Sequence, residues 1–326
     1  MNIPFDEAFR NAAGNKSARA YPPQGDPRCA DGFLWPEFRP TFRIGRSPDA
    51  TVFTIGSCFA RGIEEALMPL GFTLPTRAFS VPPTEWPKRT NGLLNEYNPG
   101  TMSQRIAFAF TKEPFSERTI VPSGGGYADL LLPAGGEVTR ERALERRKEI
   151  DAIYAQLPAA PYAIITLGLI ETWFDNQTQL FLNRMPPIPH IRASPQRYSF
   201  RTLDVSECMA LLEKAVSLLV ERGIKVILTV SPVPIGSTFS TADCVTANEF
   251  SKSVLRVCAE LLCHSFRHVD YFPSYEIARS GGLHGFKDDN RHVRLELVHR
   301  ITDFMIQRYV RSDDGVAPAG AAMAGG

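Results

Sequence analysis

Four short apolar runs, at residues 52–55, 163–167, 225–230 and 268–272, do most to limit what this chain can fold into, because each is enriched in β-branched or aromatic residues. Stretches with helical period separate and follow them, at 61–70, 140–156, 205–222, 242–263 and 291–311. Buried strands alternating with helices imply a mostly parallel sheet covered on both faces. The expected fold is therefore α/β, a three-layer α/β/α sandwich around about five strands.

The chain has 326 residues, 44% of them hydrophobic and 22% charged, so it can bury a proper core. Its 36 Lys and Arg stand against 35 Asp and Glu. That balance creates no field to attract nucleic acid or an anionic membrane, and neither partner is expected. Asp6, Glu7 and Arg10 interrupt the start where a secretory leader needs an apolar stretch, and no window approaches the ~20 apolar residues of a bilayer span. A cytoplasmic protein is expected. Among the six cysteines no pair has C-x-x-C spacing, and no Walker, G-x-G-x-x-G or H-E-x-x-H pattern occurs, so no metal and no cofactor is expected. Cys208, Cys258 and Cys263 lie in apolar helical patterns and read as packing residues.

Five prolines between Pro22 and Pro40 give residues 1–45 the character of an extended arm, with Phe33, Trp35, Phe38 and Phe42 packing on the body. The domain proper spans 46–312, and the Ala, Gly and Pro-rich residues 313–326 read as a disordered tail. Oligomeric state leaves no residue signature.

In parallel sheets ligands bind beyond the carboxyl ends of the strands. The segments to inspect are therefore 56–58, 168–173, 231–234 and 273–276. The first, Gly56-Ser57-Cys58, sets a hydroxyl and a thiol side by side where a strand turns into a helix. Free N–H groups and the positive dipole end favour developing negative charge there, which suits a nucleophile. A structural reading of the same turn has Gly56 allowing the bend, Ser57 capping the helix and Cys58 packing behind it. Near the other end, Asp289 precedes His292 by three residues. An Asp so placed holds one ring nitrogen and leaves the other for a nucleophile, although the spacing also suits a solvated surface pair. Lys252 and Arg256, one helical turn apart, read as a solvated face or a salt bridge.

Five blocks, Phe53-Thr54-Ile55-Gly56-Ser57-Cys58-Phe59-Ala60, Thr166-Leu167-Gly168-Leu169-Ile170-Glu171-Thr172-Trp173, Thr229-Val230-Ser231-Pro232-Val233-Pro234, Ser251-Lys252-Ser253-Val254-Leu255-Arg256 and Tyr271-Phe272-Pro273-Ser274-Tyr275-Glu276-Ile277, occur in that order. Together they resemble the GSCFA family over about residues 50–308. That family is similar to the SGNH/GDSL hydrolases, so the resemblance implies a flavodoxin-like (SGNH hydrolase-like) sheet and acyl-ester cleavage or transfer, often on carbohydrates.

Aligned on the superfamily's Gly-Asp-Ser turn, the resemblance puts Cys58 at the nucleophile position, while ester chemistry suits Ser57; both stay as candidates, with Asp289 and His292 as orienting acid and base. The superfamily's G-x-N-D block falls on Gly168-Leu169-Ile170-Glu171, where Ile170 replaces the oxyanion-donating Asn. Asn98 in the Tyr97-Asn98-Pro99-Gly100 turn, or backbone N–H groups near Ser57 and Gly100, then take that role. Glu171 and Trp173 suit two readings, a grip on a sugar through hydroxyl bonding and stacking, or a packed Trp173 lid on the sheet edge with Glu171 paired to an Arg; Glu276 is a further candidate site carboxylate.

The expected function is metal-independent acyl-ester hydrolysis or O-acyl transfer on a small-molecule or carbohydrate ester, plausibly an acylated carbohydrate. The alternative on the same fold is a carbohydrate- or acyl-carrier-binding protein without turnover, motivated by the missing Asn.

Overall fold

The computed structural model describes residues 2–15, 18–45, 50–87 and 89–310. The apolar runs become strands β1 (Val52–Gly56), β2 (Tyr162–Leu167), β3 (Lys225–Val230) and β4 (Val269–Tyr271). They are parallel throughout and lie in the order β1-β2-β3-β4. Their two-residue period sends Phe53, Ile55, Ile165, Leu167, Leu228 and Val230 into one core and Val52, Ile164 and Ile227 into another. Both faces are covered, which is why the strands read as continuous apolar runs.

About five strands were expected, and among the described residues four form this sheet. The fifth position survives as a single residue, Thr73, which bridges the free edge of β1: Val52 N–H donates to Thr73 O and Thr73 N–H to Ala50 O, both at 3.0 Å. Gly71, with φ 83°, and Pro75, which opens a short 3₁₀ turn, bracket it and stop the strand from extending. Counting Thr73, the chain runs 2-1-3-4-5, the flavodoxin-like order. The order reverses between β1 and β2, so the crevice at their carboxyl ends is the switch point where such sheets bind ligands.

Among the described residues seven helices flank the sheet: α1 (Cys58–Leu67), α2 (Pro99–Thr111), α3 (Arg140–Tyr154), α4 (Val205–Glu221), α5 (Cys244–Ser265), α6 (Ser274–Ser280) and α7 (Leu295–Tyr309). Helices α2 to α5 cover the Phe53 face through residues such as Ile106, Tyr154, Leu212 and Leu255. Helices α1, α6 and α7 cover the other face through Ile63, Ile277 and Ile301. This is the three-layer α/β/α sandwich. Cys208 and Cys258 are buried in the first core with Cys263 packed against it, and all six cysteines are free thiols.

The first 45 residues are not extended throughout. Phe5–Gly14 is helical, with Pro4 at its N-cap and Asp6 and Glu7 in its first turn, where the dipole favours acids. Cys29–Ala30 and Phe33–Leu34 form a small hairpin. Phe42 is buried, and Phe33, Trp35 and Phe38 pack on the α1/α6/α7 side, Trp35 against Phe304 at 5.4 Å between ring centres. Residues 313–326 lie outside the described residues. No helix among the described residues is long and apolar enough to cross a membrane.

Between β2 and α4 the chain builds a second, antiparallel sheet that the apolar-run pattern does not announce. Glu171–Asp175 pairs with Leu180–Leu182 on one side and Tyr198–Thr202 on the other. Its strands are short and mixed in polarity. This sheet stands beside the carboxyl end of β2 and forms a wall of the site.

Candidate functional site

Gly56 closes β1 with φ +134°, and a Cβ there would sit 2.2 Å from Thr166 O of β2. No other residue fits that close approach. Ser57 follows as the N-cap of α1, accepting weakly from Phe59 N–H at 3.4 Å. Its hydroxyl donates to Ser231 Oγ at 2.9 Å, just beyond β3, so the bond crosses the end of β2 between its two neighbours. Ser57 is buried. Cys58, the first residue of α1, is half-buried. Burial pushes its thiol up, while the positive charges of Arg89, Lys252 and Arg61 pull it back down.

Residues 96–98 thread the switch crevice. Glu96 N–H donates to Gly56 O at 2.9 Å, and Tyr97 O accepts from Leu169 N–H at 2.8 Å. Gly168 lacks a side chain because a Cβ would lie 2.6 Å from Tyr97 O. Asn98 caps α2, its Oδ1 accepting from Thr101 N–H at 3.0 Å. With the oxygen so occupied, its amide N–H₂ is the part left to face a ligand.

The polar stripe at the start of α5 holds these loops from beneath. Asn248 Oδ1 accepts from Ile235 N–H at 3.1 Å, and Ser251 Oγ from Ile170 N–H at 3.1 Å. Lys252 Nζ donates to Gly168 O at 2.5 Å and Val233 O at 2.8 Å. Lys252 is only 1% exposed, so the expected solvated face is corrected to a fully buried cation. Burial pushes it down to about 7, against the opposing charges of Cys58 and Glu249. The signal was in the period: Asn248, Ser251, Lys252, Leu255, Ala259 and Leu262 form one helical stripe facing the core. Arg256 lies off it and does form the expected salt bridges, with Glu260 at 2.7 Å and Glu276 at 3.0 Å.

Asp289 and His292 sit on an exposed loop closed by the Phe286–Val293 bridge. Asp289 Oδ1 accepts from the N–H groups of Arg291 and His292 at 3.0 and 2.9 Å, and Oδ2 bonds His292 Nδ1 at 2.5 Å. The bond to the imidazole, with those two N–H groups, holds the Asp289 carboxyl well below the usual carboxylate range. Nε2 is the free ring nitrogen. Among the described residues no hydrogen bond joins the ring to Ser57 or Cys58. The loop does reach the rim of the site, because Arg291 covers Gly236, where a Cβ would lie 2.4 Å from its guanidinium.

Ile235 and Ser237, on either side of Gly236, border a cavity of about 160 Å³ that also takes in Tyr97, Asn98, Glu171 and Trp173. Glu171 accepts from Thr238 Oγ1 at 2.5 Å and Phe239 N–H at 3.3 Å, which fastens this rim to the antiparallel sheet. Trp173 meets Phe200 and Phe239 edge to face, at 5.7 and 5.3 Å. The structure thus gathers Asn98, Glu171 and Trp173 at one cavity beside the crevice of Gly56, Ser57, Cys58 and Gly168. It does not bring Gly100 or Glu276 there. Gly100 lies in the first turn of α2 under the Phe181 ring, and Glu276 bonds Arg256 and Tyr271 in a separate cleft beneath the arm. Sequence reasoning missed the buried, loop-tying role of Lys252, Ser231 as the partner of Ser57, and Arg184 on the cavity wall. Among the described residues no three His, Cys, Asp or Glu side chains cluster as a metal site requires.

Two solved structures are similar over nearly their whole lengths. A proposed acylhydrolase from Bacteroides fragilis NCTC 9343 is 10% identical with a TM-score of 0.40, covering 94% of this chain and 97% of its own. A GDSL-like lipase from Bacteroides thetaiotaomicron VPI-5482 is 11% identical with a TM-score of 0.39, covering 92% and 95%. No curated protein matches. The GSCFA family matches residues 51–304, from the strand that leads into the Ser57–Cys58 elbow to within α7, and this chain belongs to that family.

Proposed function

We propose that this protein cleaves or transfers acyl esters through Cys58, with an acylated carbohydrate as substrate. The observation that carries the reading is the position of Cys58: first residue of α1, at the switch crevice, half-buried, with Arg89 donating to its carbonyl oxygen at 3.4 Å. Burial pushes its thiol up, so a base must take the proton as the sulfur attacks, while the helix N-terminus and the Arg89 and Arg61 charges favour the thiolate that forms. Ser57 is the weaker candidate, since its oxygen caps the helix, bonds Ser231 and is buried.

In this reading Cys58 Sγ gives its proton to His292 Nε2 and attacks the ester carbonyl, forming a C–S bond, while the charge on the carbonyl oxygen falls to the Asn98 amide and first-turn N–H groups of α1. The ester C–O bond then breaks as His292 Nε2 passes that proton to the leaving alkoxide, and water or an acceptor hydroxyl, deprotonated by the same nitrogen, breaks the thioester and returns Cys58 to its thiol. Asp289 orients the ring through Nδ1. Glu171 and Trp173 hold the sugar.

The test is p-nitrophenyl acetate turnover and iodoacetamide labelling on wild type and the Cys58→Ala, Ser57→Ala and His292→Ala variants. Labelling mapped to the peptide that carries Cys58 in wild type and in Ser57→Ala, and loss of turnover in Cys58→Ala, are expected. Turnover that survives Cys58→Ala removes the proposal. The second reading, a binding protein without turnover, draws on Ile170, which stands at the superfamily's Asn position and is buried in the core. Absent turnover in wild type favours it.

A further inference from the structure

The cavity beside Asn98 carries a cation, Arg184, that makes no ion pair among the described residues. The buried arginines Arg105, Arg146 and Arg147 each meet a carboxylate, at 3.2, 3.1 and 2.5 Å. Arg184 breaks the pattern. It is half-buried on the cavity wall, and among the described residues it has neither hydrogen bond nor ion pair. Burial and the neighbouring Arg146 charge push its guanidinium down, against the Asp129 and Glu137 carboxylates, neither of which forms an ion pair with it. Its N–H donors reach solvent at the cavity wall, where an anion entering the cavity can take them in a forked pair.

The rest of the cavity narrows the choice of anion. Glu171 lines the same space without pairing to Arg184, and its carboxylate keeps lone pairs beyond those used by Thr238 and Phe239. Trp173, Phe200 and Phe239 form an aromatic cluster there, Phe200 and Phe239 lying 5.4 Å apart. A fatty acyl chain has no use for a guanidinium, and a neutral sugar leaves it unpaired. An aromatic wall with a carboxylate for hydroxyls and a fork-shaped cation for a planar anion matches a sugar that bears a carboxylate.

We infer that this cavity binds an acidic sugar of the uronic type, its carboxylate on Arg184, its hydroxyls on Glu171 and its ring against Trp173. The inference deepens the acylated-carbohydrate reading and rests on it for the choice of site. Charge-assisted pairing makes the acidic sugar bind about tenfold or more tightly than its neutral counterpart.

Titrating the full chain with glucuronic acid, glucose and acetate, followed by saturation-transfer NMR, tests this. The expected result is a clear preference for glucuronic acid over glucose, lost in Arg184→Gln and partly kept in Arg184→Lys. No glucuronic acid binding, equal binding of the two sugars, or a preference unchanged in Arg184→Gln overturns it. Displacement of glucuronic acid by equimolar acetate also overturns it, since the site would then hold an anion without a sugar. Ester turnover in the same preparations separates the two readings. Cys58-dependent turnover without the sugar preference removes this inference alone, whereas the preference without turnover removes only the acyl chemistry.

Discussion

Lys252 Nζ lies 2.5 Å from the carbonyl oxygen of Gly168, and its second bond, to Val233 O, makes one side chain the tie between the loops that follow β2 and β3. It does so from the buried face of α5, where a charge is poorly solvated, and this is what pushes the amine from its ordinary 10.5 down to about 7.

A pH dependence follows. Between about 7 and 10.5 the unfolded chain carries a proton on Lys252 that the folded protein lacks, so the unfolding free energy contributed by this residue rises with pH across that window. Below about 7 the cost of burying the charge is complete. Lys252→Met carries no such proton and should lose this part of the slope. Urea denaturation of both proteins at about pH 7.5 and about pH 9.5 measures it, and identical slopes would show that the folded protein keeps Lys252 charged throughout.

The hydroxyl pair Ser57 and Ser231 is a structural coupling across β2. Ser57→Ala should cost about 1–2 kcal/mol, since it removes the helix cap as well as the pair, and Ser231→Ala about 1 kcal/mol. The double variant should be less destabilised than the sum by about 0.5–1.5 kcal/mol, because the pair can be lost only once. Strict additivity in a denaturation cycle would show that no bond joins the two.

Gly56→Ala should be the most damaging substitution at the elbow. The new methyl meets Thr166 backbone at 2.2 Å and sits on a residue with φ +134°. A loss of more than about 3 kcal/mol is expected, seen as a sharp fall in Tm or failure to accumulate folded protein. Near-native stability would mean that β1 and β2 part there at little cost.

For the reaction, His292→Ala should lower kcat/KM for p-nitrophenyl acetate about 10²–10⁴-fold while Cys58 keeps its place in the fold. Asp289→Asn should fall in the same direction by less, since the ring stays but is no longer held by a carboxylate. Activity unchanged in both would take the proton transfer away from this loop.

Much of the architecture was readable along the chain. Apolar runs of strand length separated by helical periods led to a parallel α/β/α sandwich, and Gly56-Ser57-Cys58 marked the elbow because its residue types suit a sharp strand-to-helix turn. The D-x-x-H spacing placed Asp289 on His292 because three residues is the reach of an Asp side chain back to a backbone N–H and ring. Other features were visible and underweighted. Lys252 stands in a core-facing stripe whose period was there to be counted, and Gly71 and Pro75 mark where the edge strand could not extend.

By itself, then, the sequence determined which segments are strands and helices, which faces of them are apolar and where one chain reversal puts reactive side chains, since all of these depend on neighbours a few residues apart. The tertiary structure alone decided that Ser57 meets Ser231, that Arg184 and Glu171 share a cavity without pairing, and that Lys252 spans two loops. Those meetings join residues far apart in the chain. They are fixed by strand order and by where the inserted antiparallel sheet comes to rest, neither of which any local periodicity encodes.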